Sequence, residues 1–329
     1  MKNIELSSDN IILQDKTSNG KINDWHGKKL NNEHLMDSYF RLQYFNKANR
    51  VKQCGSFLEF RRYHDDTLKL NKANFCKVRL CPICSWRRSL KIFGQVSKLM
   101  NEVTKDENIE FIFLTLTAKN CNGSELSDTI DLMMNGFKLL TKTKQFKSNV
   151  LGYFRALEVT HNLQTDSKSY DTYHPHFHCI LAVDKYYFKN NYINQATWTS
   201  IWKKALKIDY TPIVHVTRFK NHSGNGMAKA IAETAKYTVK DKDYIVKDDN
   251  DIVDEMLTDS AVEVLDKALS SRRLTAFGGL FKLLHKELNL DDPESGDLVN
   301  TDNDEIRQDL DYVIERYLWN IGYKQYYKI

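Results

Sequence analysis

The distribution of apolar residues along the chain predicts a mixture of strands and helices. Short runs rich in β-branched and aromatic residues predict strands at residues 111–117, 152–160, 174–183 and 211–217. Apolar residues at helical spacing predict helices near residues 32–48, 85–103, 126–140, 192–206, 226–240, 260–269 and 275–288. The polar connection 161–173 favours a β-hairpin between the second and third strands. We therefore expect an α+β fold in which an antiparallel β-sheet carries helices on one face.

The composition is typical of a soluble globular protein. The chain has 329 residues, of which 41% are hydrophobic and 28% are charged. No apolar run reaches the ~20 residues that a membrane-spanning helix needs, and the N-terminus lacks the apolar segment of a signal peptide. We therefore expect a cytoplasmic protein with no membrane partner, in which the cysteines are reduced.

Charge is distributed unevenly along the chain. Between residues 50 and 100, twelve lysines and arginines face three acidic residues, a local balance of +9. Between residues 248 and 311, eighteen acidic residues face six basic ones, a local balance of −12. The basic part indicates contact with nucleic acid, although a solvated lysine-rich surface would have the same charge. The acidic part either moderates the binding of nucleic acid or is a solvated surface, and the second interpretation is slightly favoured.

Three histidines alternate along the third predicted strand. His174, His176 and His178 lie two residues apart, and alternate side chains of a strand leave from the same face. Neutral imidazole is the commonest protein ligand for metals, and a hydrophobic core does not need three of them. The pattern therefore indicates a metal-binding or phosphate-handling site. The ligating pair is either His176 with His178, separated by the hydrophobic Phe177, or His174 with His176.

Glu158 is the carboxylate expected to join the histidines. It lies near the end of the preceding strand, so pairing of the two strands can bring it to the histidine face. Two imidazoles and one carboxylate leave open positions, which is typical of a catalytic divalent ion. Mixed nitrogen and oxygen ligation favours Mn²⁺ or Mg²⁺ when a phosphate supplies further oxygens.

The helix predicted at 226–240 carries a second set of polar groups. Glu233 and Tyr237 are four residues apart and share one helix face, with Lys229, Lys236 and Lys240 on or near it. A phenol is a poor nucleophile unless cations and a polarised target assist it, and lysines beside a metal are such assistance. The alternative is an amphipathic helix with an exposed tyrosine and ordinary ion pairs.

Four of the six cysteines form a cluster in the sequence. Cys76, Cys81 and Cys84 supply three thiolates in nine residues, and Cys54 is the expected fourth ligand, with His64 as its competitor. Four cysteines in tetrahedral geometry form a closed, structural Zn²⁺ site. Three arginines near Trp86 suit a contact with a nucleic-acid backbone or with a single strand: Arg79, Arg87 and Arg88.

The order of these motifs resembles a known family. A strand that ends Leu-Thr-Leu-Thr, the histidine strand and the helix with Glu233 and Tyr237 follow one another, after the segment 76–88. This set is similar to the HUH endonucleases and more closely to the replication initiator (Rep) family of rolling-circle plasmids of Gram-positive bacteria, the branch with one tyrosine. The segment 272–282 is also similar to the family. The resemblance spans residues 50–285.

The resemblance implies a function for each group. Tyr237 would attack a phosphate at the double-strand origin of a plasmid, leaving a 5′-phosphotyrosyl bond and a free 3′-OH primer. His176 and His178, with Glu158, would hold the divalent ion that polarises this phosphate. Glu233 would act on water at termination. Lys229, Lys236 and Lys240 would contact DNA, and a host helicase and polymerase would be partners. No phosphate-binding loop of the Gly-x-x-x-x-Gly-Lys type occurs, and this chemistry needs no nucleotide cofactor.

These assignments predict four regions. They are an N-terminal arm, a basic zinc-binding module, an HUH endonuclease domain and a helical acidic C-terminal region, at residues 1–49, 50–104, 105–247 and 248–329. Two alternative functions remain open at the level of sequence. One is an HUH tyrosine transposase or mobilisation relaxase, and the other is a zinc-finger DNA-binding regulator without nuclease activity.

Overall fold

The structure is a computed structural model that describes residues 12–17, 20–219, 231–232, 234, 238–301 and 311–329. Its strands form two antiparallel sheets, one of five strands and one of four. Helices pack against both sheets, which confirms the predicted α+β class.

The five-stranded sheet is the centre of the molecule, with the strand order β6-β3-β5-β4-β7. Its strands are β3 (Ile109–Thr117), β4 (Val150–Asn162), β5 (Thr172–Asp184), β6 (Val214–Arg218) and β7 (Thr275–Gly279). β4 and β5 form the expected hairpin, in which Glu158 lies opposite His176 and Ala156 lies opposite His178. Because directly opposed residues share a face, the histidines and Glu158 leave the sheet on the same side.

Nine helices, each of at least one α-helical turn, occur in the described part of the chain. They are α1 (Trp25–Arg41), α2 (Phe45–Gln53), α3 (Pro82–Val103), α4 (Leu126–Leu140), α5 (Lys144–Asn149), α6 (Tyr187–Asn190), α7 (Gln195–Leu206), α8 (Glu255–Leu269) and α9 (Leu280–Glu287). Of the helices described, none is both long enough and apolar enough to cross a membrane.

Helices cover both faces of the central sheet. On one face, Phe177 of β5 packs against Phe137 of α4, with 5.6 Å between ring centroids, and against Trp202 of α7. On the other face, Phe111 of β3 stacks on Phe281 of α9, and α3 joins the same hydrophobic cluster. The prediction of helices on one face therefore describes α4 and α7, and the structure adds α3 and α9. The addition follows from β3, β4 and β5, which carry apolar side chains on both faces.

The four-stranded sheet joins the two ends of the chain, in the order β2-β1-β8-β9. Its strands are β1 (Phe57–Tyr63), β2 (Leu68–Ala73), β8 (Tyr312–Asn320) and β9 (Gln325–Lys328). The region after residue 248 was predicted to be helical, but it also contains the strands β7, β8 and β9. Buried and exposed residues alternate with period two at the end of β8, which is typical of a strand with one buried face. β7 pairs with β4 and β8 pairs with β1, so strand pairing crosses the predicted boundaries at residues 104 and 247.

Two of the predicted helices are each replaced by two elements in the structure. The arm contains α1 and α2 in place of one helix at 32–48, and Gln43 between them has a φ of 61°, which ends a right-handed helix. The segment 275–288 forms β7 and then α9. Gly279 separates these elements with φ 56° and ψ −134°.

We predict that Gly279→Ala destabilises the protein by about 1–3 kcal/mol, because that backbone conformation is essentially restricted to glycine. A Cβ atom at this position would also lie 2.3 Å from the carbonyl oxygen of Leu151. Urea unfolding measures the change. Gly322→Ala is the control, since its Cβ would meet nothing closer than 3.5 Å. Equal stability of the two variants would contradict the assignment of strain to Gly279.

Candidate metal centres

The histidine face of the sheet ends in a compact group of three metal-ligand side chains. Glu158, His176 and His178 offer ligand atoms that all lie within 4.8 Å of one another. α3 and α9 cover the apolar half of this face, where Phe154 and Ile180 lie, and the polar group follows at the other end of the same strands. The structure therefore brings together the three residues that the sequence predicted.

The carboxylate of Glu158 is the centre of this group. Its Oε2 atom lies 3.2 Å from Nε2 of His176 and 2.9 Å from Nε2 of His178. The Nζ atom of Lys240 donates to Oε1 at 3.1 Å. Burial raises the pKa of Glu158, but the hydrogen bonds from both histidines and the charge of Lys240 outweigh burial and hold that pKa well below its usual range. The carboxylate is therefore ionised, as a metal ligand must be.

The second nitrogen of each imidazole determines which atom faces the group. Nδ1 of His176 lies 3.2 Å from the carbonyl oxygen of His174. With a metal bound, a proton on Nδ1 would donate to this carbonyl, and Nε2 would offer its lone pair to the ion in place of its hydrogen bond to Glu158. Nδ1 of His178 is buried and has no hydrogen-bond partner among the described residues. The ring of His178 stacks on Phe113 at 5.6 Å, which holds its orientation. This donor set of two nitrogens and one carboxylate oxygen fits a divalent ion with open positions.

His174 lies beside the group without joining it. Its ring stacks on that of His176, with 5.2 Å between centroids. In the hairpin, His174 of β5 lies opposite Thr160 of β4. Burial lowers the pKa of His174, and the neighbouring His176 lowers it further, so the ring stays neutral near pH 7. Of the two pairs left open by the sequence, the geometry favours His176 with His178.

The chain returns to the group at residues 238–240. The backbone N–H of Val159 donates to the carbonyl oxygen of Thr238 at 2.7 Å, and Lys240 forms its ion pair with Glu158. Ile231 is buried in the cluster that covers the histidine face. Four predicted site residues from this segment lie outside the described residues: Lys229, Glu233, Lys236 and Tyr237.

A second candidate metal centre lies between the two sheets, at the start of α3. Its ligand atoms are the Sγ atoms of Cys54, Cys76, Cys81 and Cys84, which all lie within 4.8 Å of one another. Cys54 follows α2, Cys76 follows β2, and the other two begin α3. The backbone N–H of Lys77 donates to the sulfur of Cys84 at 3.2 Å, which stabilises a thiolate. His64 is exposed at the turn between β1 and β2, so Cys54 completes the set as predicted.

Lys29 and Asn32 of α1 support this cysteine group, and sequence reasoning missed both. Lys29 is buried, and its Nζ donates to the carbonyl oxygens of Lys52 and Cys54 at 2.8 and 2.7 Å. Oδ1 of Asn32 accepts from the sulfur of Cys81 at 3.3 Å. Both residues precede Cys54 by more than twenty positions, and no spacing pattern in the sequence connects them to the cysteines.

The arginines expected to bind DNA contact the acidic segment 291–301 of the same chain. Arg79 pairs with Glu294 at 2.9 Å, Arg87 donates to the carbonyl oxygens of residues 298 and 299, and Arg88 donates to that of Glu294. Arg87 and Arg88 are buried. In this conformation they hold the C-terminal segment and are not available to a DNA backbone, because a charge removed from water needs its partners inside the fold. The acidic segment is thus an internal partner, and not the solvated surface that the sequence suggested.

Comparison with known proteins identifies the family of the chain. A family model described as a replication protein matches residues 67–327. The chain belongs to this replication protein family. "Protein rep" of Bacillus amyloliquefaciens is 42% identical to it, over 97% of this chain and 98% of that protein. "Protein rep" of Streptococcus pneumoniae serotype 2 is 38% identical, over 96% and 95%. A "Replication protein" of Staphylococcus aureus is 41% identical over 71% of this chain and 97% of that protein.

These matches confirm the resemblance that the motifs indicated. The family model includes both the histidine strand and three of the four clustered cysteines, since it begins after Cys54. No solved structure matches the chain.

We predict that Cys81→Ser lowers the metal content of the purified protein by about one ion per chain, because a closed four-cysteine site binds poorly with three thiolates. Metal analysis of the folded protein by mass spectrometry measures the loss. Cys121→Ser is the matched control, since Cys121 is also buried but lies outside the group. If Cys81→Ser retains its metal, the four cysteines do not act as one site.

Proposed function

We propose that this replication protein initiates rolling-circle replication of a plasmid by nicking and rejoining one DNA strand at the double-strand origin. Tyr237 is the nucleophile, and the group of Glu158, His176 and His178 is the metal site beside it. Family membership supports the role in replication. The fold and the geometry of the site support the chemistry.

One observation carries the proposal. Thr238, the residue after Tyr237, accepts a backbone hydrogen bond from Val159, the residue after Glu158. Tyr237 directly precedes Thr238 in the sequence, so the proposed nucleophile is one position along the chain from a contact that adjoins the candidate metal ligands. The ion pair of Lys240 with Glu158 ties the same segment to the site from its other end. This arrangement supports a phenol oxygen that reaches a phosphate held at the metal group.

The reaction conserves the energy of the phosphodiester bond. The oxygen of Tyr237 attacks phosphorus, the bond to the 3′ oxygen breaks, and this oxygen takes up a proton and becomes the primer. The 5′-phosphotyrosyl bond keeps the strand available for rejoining without a nucleotide cofactor. A bound Mn²⁺ or Mg²⁺ would supply Lewis-acid polarisation of the phosphate. Lys240 holds the carboxylate of Glu158, and it adds positive charge beside the phosphate.

The cysteine group has a structural function in this proposal, with Zn²⁺ as its metal. Four cysteine sulfurs, three from buried residues and one from the half-buried Cys76, would fill all four positions of a tetrahedral site and leave none for a substrate, which is typical of structural zinc. The group joins α1, the four-stranded sheet and α3, and α3 continues onto the histidine face of the central sheet. Zinc would thus fix the position of the basic module relative to the catalytic sheet.

We predict that Tyr237→Phe forms no covalent adduct with single-stranded origin DNA in the presence of Mn²⁺, because the ring then lacks the attacking oxygen. The adduct of the unmodified protein is measured as a band of reduced mobility on a denaturing gel. Tyr186→Phe is the control, since Tyr186 is an exposed tyrosine outside the site and should react normally.

Two results would count against this proposal in different ways. An adduct with Tyr237→Phe would show that another residue is the nucleophile. Failure of the unmodified protein to react with any origin DNA, despite binding it, would favour a DNA-binding regulator.

We predict that Glu233→Ala nicks origin DNA at the normal rate but releases closed circular product at least about tenfold more slowly, because a general base contributes roughly 10²–10⁴-fold. Glu233 would act as the base for water at termination, whereas the first nick needs only Tyr237. Replication of a plasmid with a duplicated origin in vitro separates the two steps. Normal termination by Glu233→Ala would remove this function from Glu233.

A further inference from the structure

The four-stranded sheet has an outer face that differs from an ordinary solvated surface. The core-facing side carries Leu58, Phe60 and Tyr317. The opposite side carries rows of residues that are paired across neighbouring strands. The first row is Phe57, Leu318 and Tyr327, and the second is Glu59, Arg316 and Lys72. The third row is Arg61, Ile314 and Lys69, and Tyr63 lies opposite Tyr312 beyond it. We call this surface the outer sheet face.

Positive charge predominates on the outer sheet face. Among the described paired residues that define this face there are four cations, Arg61, Lys69, Lys72 and Arg316, and one carboxylate, Glu59, so the net charge of this set is +3. Arg316 and Lys72 both approach Glu59, at 2.8 and 3.8 Å, yet their side chains stay 55% and 71% exposed. Such a cluster attracts a polyanion, and it opposes the docking of a second copy of the same face.

Aromatic and apolar side chains are interleaved with these cations. Tyr312 is 45% exposed, its ring lies 4.8 Å from the guanidinium carbon of Arg61, and its centroid lies 6.0 Å from that of Tyr63. Ile314 and Leu318 are also exposed. Cations alone would fit any polyanion, but the exposed ring of Tyr312 beside Arg61 provides a flat surface on which an unpaired base can stack.

The geometry of the sheet favours a single strand over a duplex. Adjacent strands lie about 4.8 Å apart, so the axes of four strands span roughly 14 Å, which exceeds the ~12 Å width of the major groove. A broad, exposed face therefore cannot enter the groove, whereas a flexible single strand can lie across it. We propose that the outer sheet face binds single-stranded DNA, with bases stacked on Tyr312 and phosphates at Arg61, Lys72 and Arg316.

The test compares two double variants of the full chain. Tyr312→Ala with Lys72→Glu removes one ring and reverses one charge on the outer sheet face. Tyr192→Ala with Lys105→Glu makes the same changes elsewhere, at an exposed tyrosine and at a lysine whose side chain is also 71% exposed. The probe is a fluorescent oligothymidylate of about 16 nucleotides, a length within the range that single-strand-binding folds cover.

The first double variant should bind the probe at least about tenfold more weakly than the control in fluorescence anisotropy, since stacking and phosphate contacts are both lost. Tyr312→Phe should bind normally, because its ring is retained. Affinity for a duplex of the same length should fall less. Equal affinities of the two double variants would overturn the proposal, and an equal loss for duplex would overturn the preference for single strands.

Two further measurements keep the result interpretable. If the first double variant does not fold, Lys72→Glu alone should decrease the salt dependence of binding by about 0.7 in the log–log slope, as expected for one phosphate contact to a single strand. An unchanged slope would overturn the assignment of Lys72. Adduct formation on a short origin oligonucleotide should persist in all these variants, since the outer sheet face does not contain Tyr237. Failure of the nicking proposal would thus leave probe binding intact, and failure of this inference would leave the adduct intact.

Discussion

The antiparallel pairing of β4 with β5 is the constraint on which the candidate site depends. Glu158 faces His176 because residue 158 lies directly opposite residue 176 in the register of this hairpin. A slip of one residue would send the carboxylate to the opposite face, where α4 and α7 pack. There, an ionised carboxylate would be buried among Leu157, Phe177 and their apolar neighbours without a partner. Burial of the apolar face therefore fixes the register that assembles the metal ligands.

The module that carries the cysteines depends on contacts with the C-terminal region of the chain. The acidic segment 291–301 neutralises Arg79 and accepts hydrogen bonds from the buried Arg87 and Arg88. β8 then pairs with β1, and β7 has already paired with β4 in the central sheet. The C-terminal region thus holds the cysteine module and the central sheet together. The ion pairs of Arg79 with Glu294 and of Lys91 with Asp291 account for part of the opposite local charges of these two regions.

Much of the site could be predicted from local pattern, and the rest could not. The histidine spacing and the hairpin were enough to bring Glu158, His176 and His178 together, because strand geometry has period two. The cysteine spacing likewise predicted three ligands, and Cys54 completed them. The binding partner of Arg87 and Arg88 was not predictable, since a cluster of arginines has the same sequence pattern whether it binds DNA or a distant acidic loop. Lys29 gave no signal at all, because its partners are backbone carbonyls remote in sequence.

Whether a feature could be predicted from the sequence depends on how far apart in the chain its interacting residues lie. Local pattern was enough to predict the class of fold, the two sets of candidate metal ligands and the resemblance to a replication family, since each rests on periodicity or spacing within a short segment. Three features could be seen only in the tertiary structure. Helices cover both faces of the central sheet, and β8 and β9 complete the sheet of β1 and β2. Cations and rings from these four strands form one outer sheet face. These features depend on pairing between segments up to about 250 residues apart, and no local pattern specifies which distant strand or loop becomes the partner.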